Sequence, residues 1–405
     1  MKSAKSFICV LEFFSFLFGY LDLAYGQTWT ASTNAPNLEW WAVASSADGT
    51  RLAAVVFNGG IYTSTNSGLT WVSNNVPNSP WYCVASSADG TKLAAGIDTW
   101  STVGGGGIYT STNGGITWTL SGAPNYAQSW VSIASSTNGT KLVAAGTYVV
   151  GGINPLYPNV YSSSDSGNTW TLANLPSLNW SAVASSADGT RLVALANNTN
   201  VVYTSTNSGA TWSSNSVPNN TWYTVASSAD GTKLIIAAWG LSYEGGPIYT
   251  STNSGNTWVS NNVPVQVWYS VATSSDGSRL VAVAPGAIYT SMDSGQTWVS
   301  NNVPNTNYWA SVASSANGNK LVAAAANGYI YTALPTAPLL NLNVSGTNLI
   351  LSWPSVVTGF QLQQNPTLSS ANWTTLSNSI VITNGQNQII LSLTNNQNFY
   401  RLKSQ

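Results

Sequence analysis

Three carboxylates stand outside every repeated pattern in this 405-residue chain: Glu39, Asp98 and Glu244. Two carboxyl groups about 5 to 9.5 Å apart can cleave a glycosidic bond, one as general acid and the other as nucleophile or base. Little other catalytic chemistry is open to the chain. It contains no His, which removes a Ser-His-Asp triad, His-ligated zinc and a histidine proton switch. No spacing of Cys, Asp and Glu suggests a metal centre, and nothing calls for a cofactor. Charged residues make up 6% of the chain, with 11 Lys plus Arg and a net charge of -1. So few cations cannot neutralise a run of phosphates, so nucleic acid is excluded as a partner.

The elements that must position these carboxylates are repeats. The segment Ser-x-Asx-x-Gly-x-Thr-Trp ends at Trp71, Trp118, Trp170, Trp212, Trp258 and Trp298. A second segment, close to Trp-x-x-Val-Ala-Ser-Ser-x-Asp-Gly-Thr-Lys-Leu, begins at Trp40, Trp81, Trp130, Trp180, Trp222, Trp268 and Trp309. The spacing of 40 to 52 residues is that of one four-stranded propeller blade. Strand A is the Val-Ala-Ser stretch, and an Asp-Gly or Asn-Gly pair predicts a tight two-residue hairpin into strand B. Strand C is Ile/Val-Tyr-Thr-Ser, and strand D is expected to start at Thr-Trp. The seventh unit lacks its Thr-Trp, yet Gly26-Gln27-Thr28-Trp29 precedes the first A strand and matches Gly295-Gln296-Thr297-Trp298. The expected fold is therefore all-β, a seven-bladed β-propeller over residues 27–334 closed by the N-terminal strand.

The ends differ from the array. Lys2 and Lys5 precede an apolar run from Phe7 to Leu23, followed by Ala24-Tyr25-Gly26. That is the pattern of a secretory signal peptide spanning residues 1–26. Its removal takes Cys9 away and leaves Cys83 alone, in a strand A position otherwise filled by Ala, Ser or Thr. Cys83 is expected to be small and buried, without a disulfide. After Pro335-Thr336-Ala337-Pro338 the pattern breaks. Short alternating runs, among them Leu349 to Trp353 and Phe399 to Leu402, predict a small β-sandwich over residues 335–405. The chain is expected outside the cytoplasm, as a secreted, periplasmic or cell-surface monomer.

The sixfold segment resembles the Asp box, or BNR repeat, of the sialidase-like propeller superfamily. Asn66, Asn113, Asn207 and Asn253 replace the aspartate that Asp165 and Asp293 keep. Either side chain accepts backbone N–H bonds in an Asx turn. The resemblance implies a structural box on the face opposite the binding face. It also implies sialidase chemistry, with three arginines and a Tyr/Glu pair with an Asp, but the residues argue against this. Arg51, Arg191 and Arg279 take the post-turn position that Lys92, Lys141, Lys233 and Lys320 hold elsewhere, whereas a bidentate carboxylate clamp distinguishes Arg from Lys. Asp-box propellers that hydrolyse glucans commonly pair two propellers, unlike this chain. The C-terminal segment resembles a fibronectin-III module.

Candidate binding residues follow from comparing repeats. The position after each strand A Trp varies: Trp41, Tyr82, Val131, Ser181, Tyr223, Tyr269 and Ala310. Three B-C connections are long, 15, 18 and 14 positions for Leu93 to Ile108, Leu142 to Val160 and Leu234 to Ile248. They carry Asp98, Trp100, Tyr148, Tyr157, Trp239, Tyr243 and Glu244. In this topology the B-C and D-A connections share one face. Trp41, Tyr82, Trp100, Tyr148, Tyr157, Tyr223, Trp239, Tyr243 and Tyr269 are thus the expected ligand-binding set, facing a glycan or an extracellular protein without catalysis. The alternative is a glycoside hydrolase using Asp98, Glu244 and Glu39.

Overall fold

The computed structural model describes residues 27–98, 106–124, 128–148, 159–240, 244–304, 307–326, 328–334, 340–354, 360–366, 372–383, 386–392 and 398–404. The expected signal peptide at residues 1–26, Trp100, Tyr157, Tyr243, the side chain of Tyr148 and the Pro335 to Pro338 break lie outside them.

Among the described residues, each repeat forms a four-stranded antiparallel sheet, and seven such sheets lie between Trp29 and Ala333. In the first, strand A is Trp40–Ser45, B is Leu52–Val56, C is Ile61–Ser64 and D is Val72–Ser73, paired in that order. The last sheet contains Tyr308–Ser314, Leu321–Ala326 and Ile330–Ala333, and its outer strand is Trp29–Ala31. Trp29 pairs with Ala333 and Thr30 with Thr332, so Trp29–Ala31, which precedes the first of the seven sheets, completes the seventh.

A strands of successive sheets pack side by side, and the last returns to the first. Backbone bonds tie that circle at the A-B turns. The amide of Ala47 donates to Ala88, Ala88 to Thr137, Thr137 to Ala187, Ala187 to Ala229, Ala229 to Ser275, Ser275 to Ala316, and Ala316 back to Ala47, all at 2.7 to 2.8 Å. Repeated four-stranded sheets wound round an axis in this way are the architecture of a β-propeller.

The core lies between sheets. One cluster joins Val322, Ala324 and Ile330 of the last sheet to Trp40, Val43 and Leu52 of the first. The strand A tryptophans are the largest side chains in it: Trp40, Trp81, Trp130, Trp180, Trp222, Trp268 and Trp309 are all buried to 1% or less. Each meets the strand C Tyr of its own sheet edge-on, as Trp222 meets Tyr249 at 5.6 Å. Burying one such indole contributes on the order of 4 to 6 kcal/mol gross, from about 150 to 250 Å² at about 25 cal/mol per Å².

Two local expectations need correction. Strand D does not begin at Thr-Trp, because Thr70 is held in the preceding turn by Asn66. The A-B hairpin is also longer than two residues. Its ladder ends at Ser45 and Leu52, and only the Gly takes a positive φ, between 67° and 70° at all seven turns. The Asp instead organises the loop as an acceptor: Asp48 takes bonds from Ser46 Oγ at 2.6 Å and Thr50 N at 2.9 Å.

The sixfold segment behaves as the Asx-turn reading requires. Thr70 N donates to Asn66 at 2.9 Å, and Thr169 N donates to Asp165 at 2.8 Å. The Thr hydroxyl absorbs the chemical difference, accepting from Asn66 Nδ2 and donating to Asp165 Oδ2. Beyond the array, Asn341–Ser345, Asn348–Pro354, Gln386–Ser392 and Val381–Thr383 form one sheet. Phe360–Asn365, Thr374–Thr375 and Phe399–Ser404 form another. Leu351, Trp353 and Ile389 of the first meet Leu362 of the second in a common core.

The turn aspartates make stability depend on acid. Hydrogen bonds from the Ser hydroxyl, then from the Thr amide and hydroxyl, hold Asp89, Asp188 and Asp230 down at about 2, against a usual 3.8. A carboxyl depressed on folding stabilises the native state above its unfolded value, and that contribution is lost as pH falls through the folded value. The melting temperature is therefore expected to fall most steeply between about pH 4 and pH 2. Asp230→Asn should reduce the fall, since Asn138 already accepts the equivalent Thr140 amide bond at 3.0 Å. A melting temperature that stays flat over this interval contradicts the assignment.

Candidate functional site

The variable residue after each strand A Trp sits on a backbone irregularity. In six sheets the A-B register slips across it, between Trp40 and Ala42, Trp81 and Cys83, Trp130 and Ser132, Trp180 and Ala182, Trp222 and Thr224, and Trp309 and Ser311. A bulge leaves one residue out of the ladder and re-aims its side chain. Tyr269 reaches a related position by a different route, its amide bonding to Val283 just before the paired strand begins.

The result is a belt of aromatic rings. Phe57 packs on Trp41 at 5.3 Å, and Trp41 on Tyr82 at 5.3 Å. Tyr82 then meets Tyr223 hydroxyl to hydroxyl at 3.1 Å, although 141 positions separate them in sequence. These residues belong to the second and fifth sheets, so the contact crosses the axis. On the far side Tyr223 stacks on Trp239 at 4.1 Å, Trp239 lies 5.4 Å from Tyr269, and Tyr269 lies 4.8 Å from Tyr308. Tyr308 is 40% exposed. The third and fourth sheets place Val131 and Ser181 at the equivalent position, and Ser181 donates to the Trp222 carbonyl.

Five of the nine expected binding residues, Trp41, Tyr82, Tyr223, Trp239 and Tyr269, are thus brought together. Tyr148 ends a strand B, Gln128 pairing with it. Trp100, Tyr157 and Tyr243 lie outside the described residues. Phe57 and Tyr308 join the belt although the sequence comparison missed them. Each flanks a repeated position, Tyr308 immediately before Trp309 and Phe57 immediately after the Val56 that ends strand B.

The three carboxylates have different surroundings. Asp98 follows Ile97, the partner of Trp81, and its amide bonds to Pro80 at 2.9 Å. Its carboxylate accepts a hydrogen bond from the buried Ser129 of the next sheet. Glu39 is half-buried, and its carbonyl takes the Phe57 amide. Glu244 is exposed, in the connection that precedes Ile248–Ser251.

Burial pushes the Tyr82 phenol up, and the Asp98 charge adds to the shift. Burial also pushes Tyr223 well above its ordinary range, reinforced by Tyr82, Tyr308 and Asp98. Both phenols therefore stay protonated near neutral pH, which suits hydrogen bonding and ring contact but not nucleophilic attack. No group of three or more His, Cys, Asp or Glu side chains that could hold a metal occurs among the described residues.

The opposite face is built differently. Each Lys or Arg after an A-B turn lies under the turn Gly of the next sheet. A Cβ on Gly139 would come within 2.7 Å of Lys92, and one on Gly49 within 2.8 Å of Lys320. Lys141 and Arg191 also donate to Ser208 and Ser254 of the neighbouring turn. The cations are interlocks between sheets, as their Lys/Arg exchange indicated. The clefts beside Lys92 and Arg191 enclose about 10 and 20 Å³, room for about one water each.

No known family profile matches the chain, and no curated protein matches it in sequence. Its likeness to solved structures is in fold. YCF48 bound to D1 peptide superposes with a TM-score of 0.57 at 16% identity, over 78% of this chain and 99% of that one. The GH74 xyloglucanase of Xanthomonas campestris gives 0.61 at 15%, over 81% of this chain. This chain spans 60% of that enzyme's length. U3-55K gives 0.59 at 12%, over 76% and 98%. These relatives define the class as β-propeller proteins. At such identities they speak for the fold alone, and both a peptide-bound protein and a hydrolase share it.

Cys83 is buried, and burial pushes its thiol up to about 12. It is therefore expected to react with a thiol reagent such as dithionitrobenzoate only after unfolding. Stoichiometric labelling within minutes of a native chain beginning at Gln27, in which Cys83 is the single cysteine, would contradict this placement.

Proposed function

We propose that this chain is an exported seven-bladed Asp-box propeller with a small fibronectin-III-like sandwich at its C-terminus, working as a non-catalytic recognition module. Its signal segment directs it out of the cytoplasm, and residues 27–334 form the propeller. The partner, a glycan or an extracellular protein, docks on the face that carries the long B-C connections. The observation that carries this reading is the aromatic belt from Phe57 and Trp41 through the Tyr82–Tyr223 contact to Tyr269 and Tyr308. Large rigid rings with polar tips lose little entropy on binding and present flat faces to sugars or protein side chains. Support also comes from YCF48, a similar propeller solved with a peptide.

The second reading is a glycoside hydrolase, favoured by the likeness to the GH74 xyloglucanase and by Asp98 beside the belt. Ser129 of the next sheet donates to the Asp98 carboxylate, which holds that group in place beside the belt. A base or nucleophile would need an acid partner, and Glu244 stands exposed in another sheet's connection.

The test is tryptophan-fluorescence titration of the exported chain against oligosaccharides and peptides, alongside release of reducing sugar from polysaccharides. Binding should appear without turnover, and Trp239→Ala should weaken it about tenfold or more, the effect of losing about 1 to 3 kcal/mol of ring contact. Sugar release that Asp98→Asn abolishes while leaving binding intact would establish the hydrolase instead.

A further inference from the structure

The charges of the propeller are sorted by face. Its seven cations, Arg51, Lys92, Lys141, Arg191, Lys233, Arg279 and Lys320, each follow an A-B turn. The same face holds the turn aspartates and the two box aspartates, Asp165 and Asp293. Seven positive charges there meet seven negative ones, counting Asp48, Asp89, Asp188, Asp230 and Asp276 with the two box residues. The aromatic face carries Glu39, Asp98 and Glu244 and, among residues 27 to 334, no Lys or Arg at all. That face is uniformly negative.

An anionic ligand such as an acidic sugar would be repelled by these carboxylates, the only formal charges that residues 27 to 334 contribute to that face. A cation would be drawn in by them and would also find ring faces. A guanidinium or ammonium within about 6 Å of a Tyr or Trp ring centroid is attracted by the ring's negative face, and more strongly where water is excluded. Tyr223, Trp239, Tyr269 and Tyr308 form a cluster with centroid spacings of 4.1 to 6.0 Å and tilted or perpendicular planes as well as a stack. The Asp98 charge acts on both Tyr82 and Tyr223.

The Tyr82–Tyr223 contact selects the carrier of the charge. Tyr82 and Tyr223 already meet across the axis, so an occupant lies over the rings and sends its charge down from above. Lys and Arg carry their charge on a flexible stem of three or four methylenes, which can lie along an aromatic surface. An amino group fixed directly to a sugar ring has no such stem. We infer that the partner of this face is a polypeptide segment presenting an Arg or Lys side chain, whose cation seats among Tyr223, Trp239, Tyr269 and Tyr308 in the field of Asp98, Glu39 and Glu244. The inference rests on the recognition reading above and names the partner's chemistry.

The experiment titrates the exported chain with nonapeptides of Gly, Ser and Asn carrying one central Arg, citrulline or Glu, and separately with a neutral and an amino oligosaccharide. The Arg peptide should bind at least about tenfold more tightly than its citrulline twin, and the Glu peptide not measurably. Raising salt from about 50 mM to about 500 mM should weaken the Arg peptide several-fold, because screening shortens the reach of the carboxylate field. Asp98→Asn should weaken it by a similar factor. Should that variant unfold, the double change Glu39→Gln with Glu244→Gln supplies the charge test, and Tyr308→Ala supplies the ring test at an exposed side chain.

Equal affinity for the Arg and citrulline peptides overturns the inference. So does tight, salt-independent binding of the neutral oligosaccharide, although recognition by this face then stands. Preference for the amino oligosaccharide over every peptide overturns the polypeptide assignment. Absence of binding to any of these probes removes the inference and counts against the recognition reading as well.

Discussion

The amide of Ala316 donates to the carbonyl of Ala47 at 2.7 Å, and that bond returns a chain of seven identical bonds to its origin. A linear array of sheets would leave its first and last A strands without neighbours and an amide and a carbonyl unpaired near the axis. Closing the circle satisfies both groups. Each bond contributes only about 1 kcal/mol net, but together they fix the distance of every A strand from the axis. The seal that makes the closure possible is made at the rim, where Trp29–Ala31 pairs with Ile330–Ala333 and Trp29 packs against Trp309 at 6.5 Å.

With the A strands fixed, the chemistry of the aromatic face follows from one irregularity. The buried Trp anchors the start of each strand, and the bulge after it releases the next side chain from the ladder. The scaffold is thereby decoupled from the surface. Trp40 and Trp180 are equivalent in burial, while their successors Trp41 and Ser181 differ completely. Four successors, Trp41, Tyr82, Tyr223 and Tyr269, are aromatic, and the Tyr82–Tyr223 contact across the axis joins them into one continuous belt. The opposite face consumes its charges in interlocks such as Lys92 beneath Gly139.

Much of this was legible because a repeat makes each position its own control. The Trp ring, the sheet order and the closing role of Gln27-Thr28-Trp29 follow from spacing, since a residue type kept at every repeat reports a shared environment. The Lys/Arg exchange at the post-turn position pointed to packing, and the clamps against the turn glycines agree. Backbone features were hidden. The amide ring runs through Ala, Thr and Ser alike, because a main-chain bond imposes no side-chain identity. The bulge likewise leaves no residue signature. The Tyr82–Tyr223 contact needed three dimensions, and Phe57 and Tyr308 escaped because each stands one place away from the position being compared. The A-B turn was misread because Asp-Gly suggested two positive φ values, whereas the Asp serves as an acceptor and only the Gly is left-handed.

The central claim is that the strand Trp29–Ala31 holds the circle shut. Thermal unfolding of a chain beginning at Ser32, compared with one beginning at Gln27, measures this directly. Losing a buried indole costs about 3 to 5 kcal/mol, and the lost pairing with Thr332 and Ala333 adds to it. The account predicts a midpoint lower by about 10 °C or more, with the Arg-peptide affinity lost in parallel. An unchanged midpoint would contradict it, because the ring would then be closed without its rim strand.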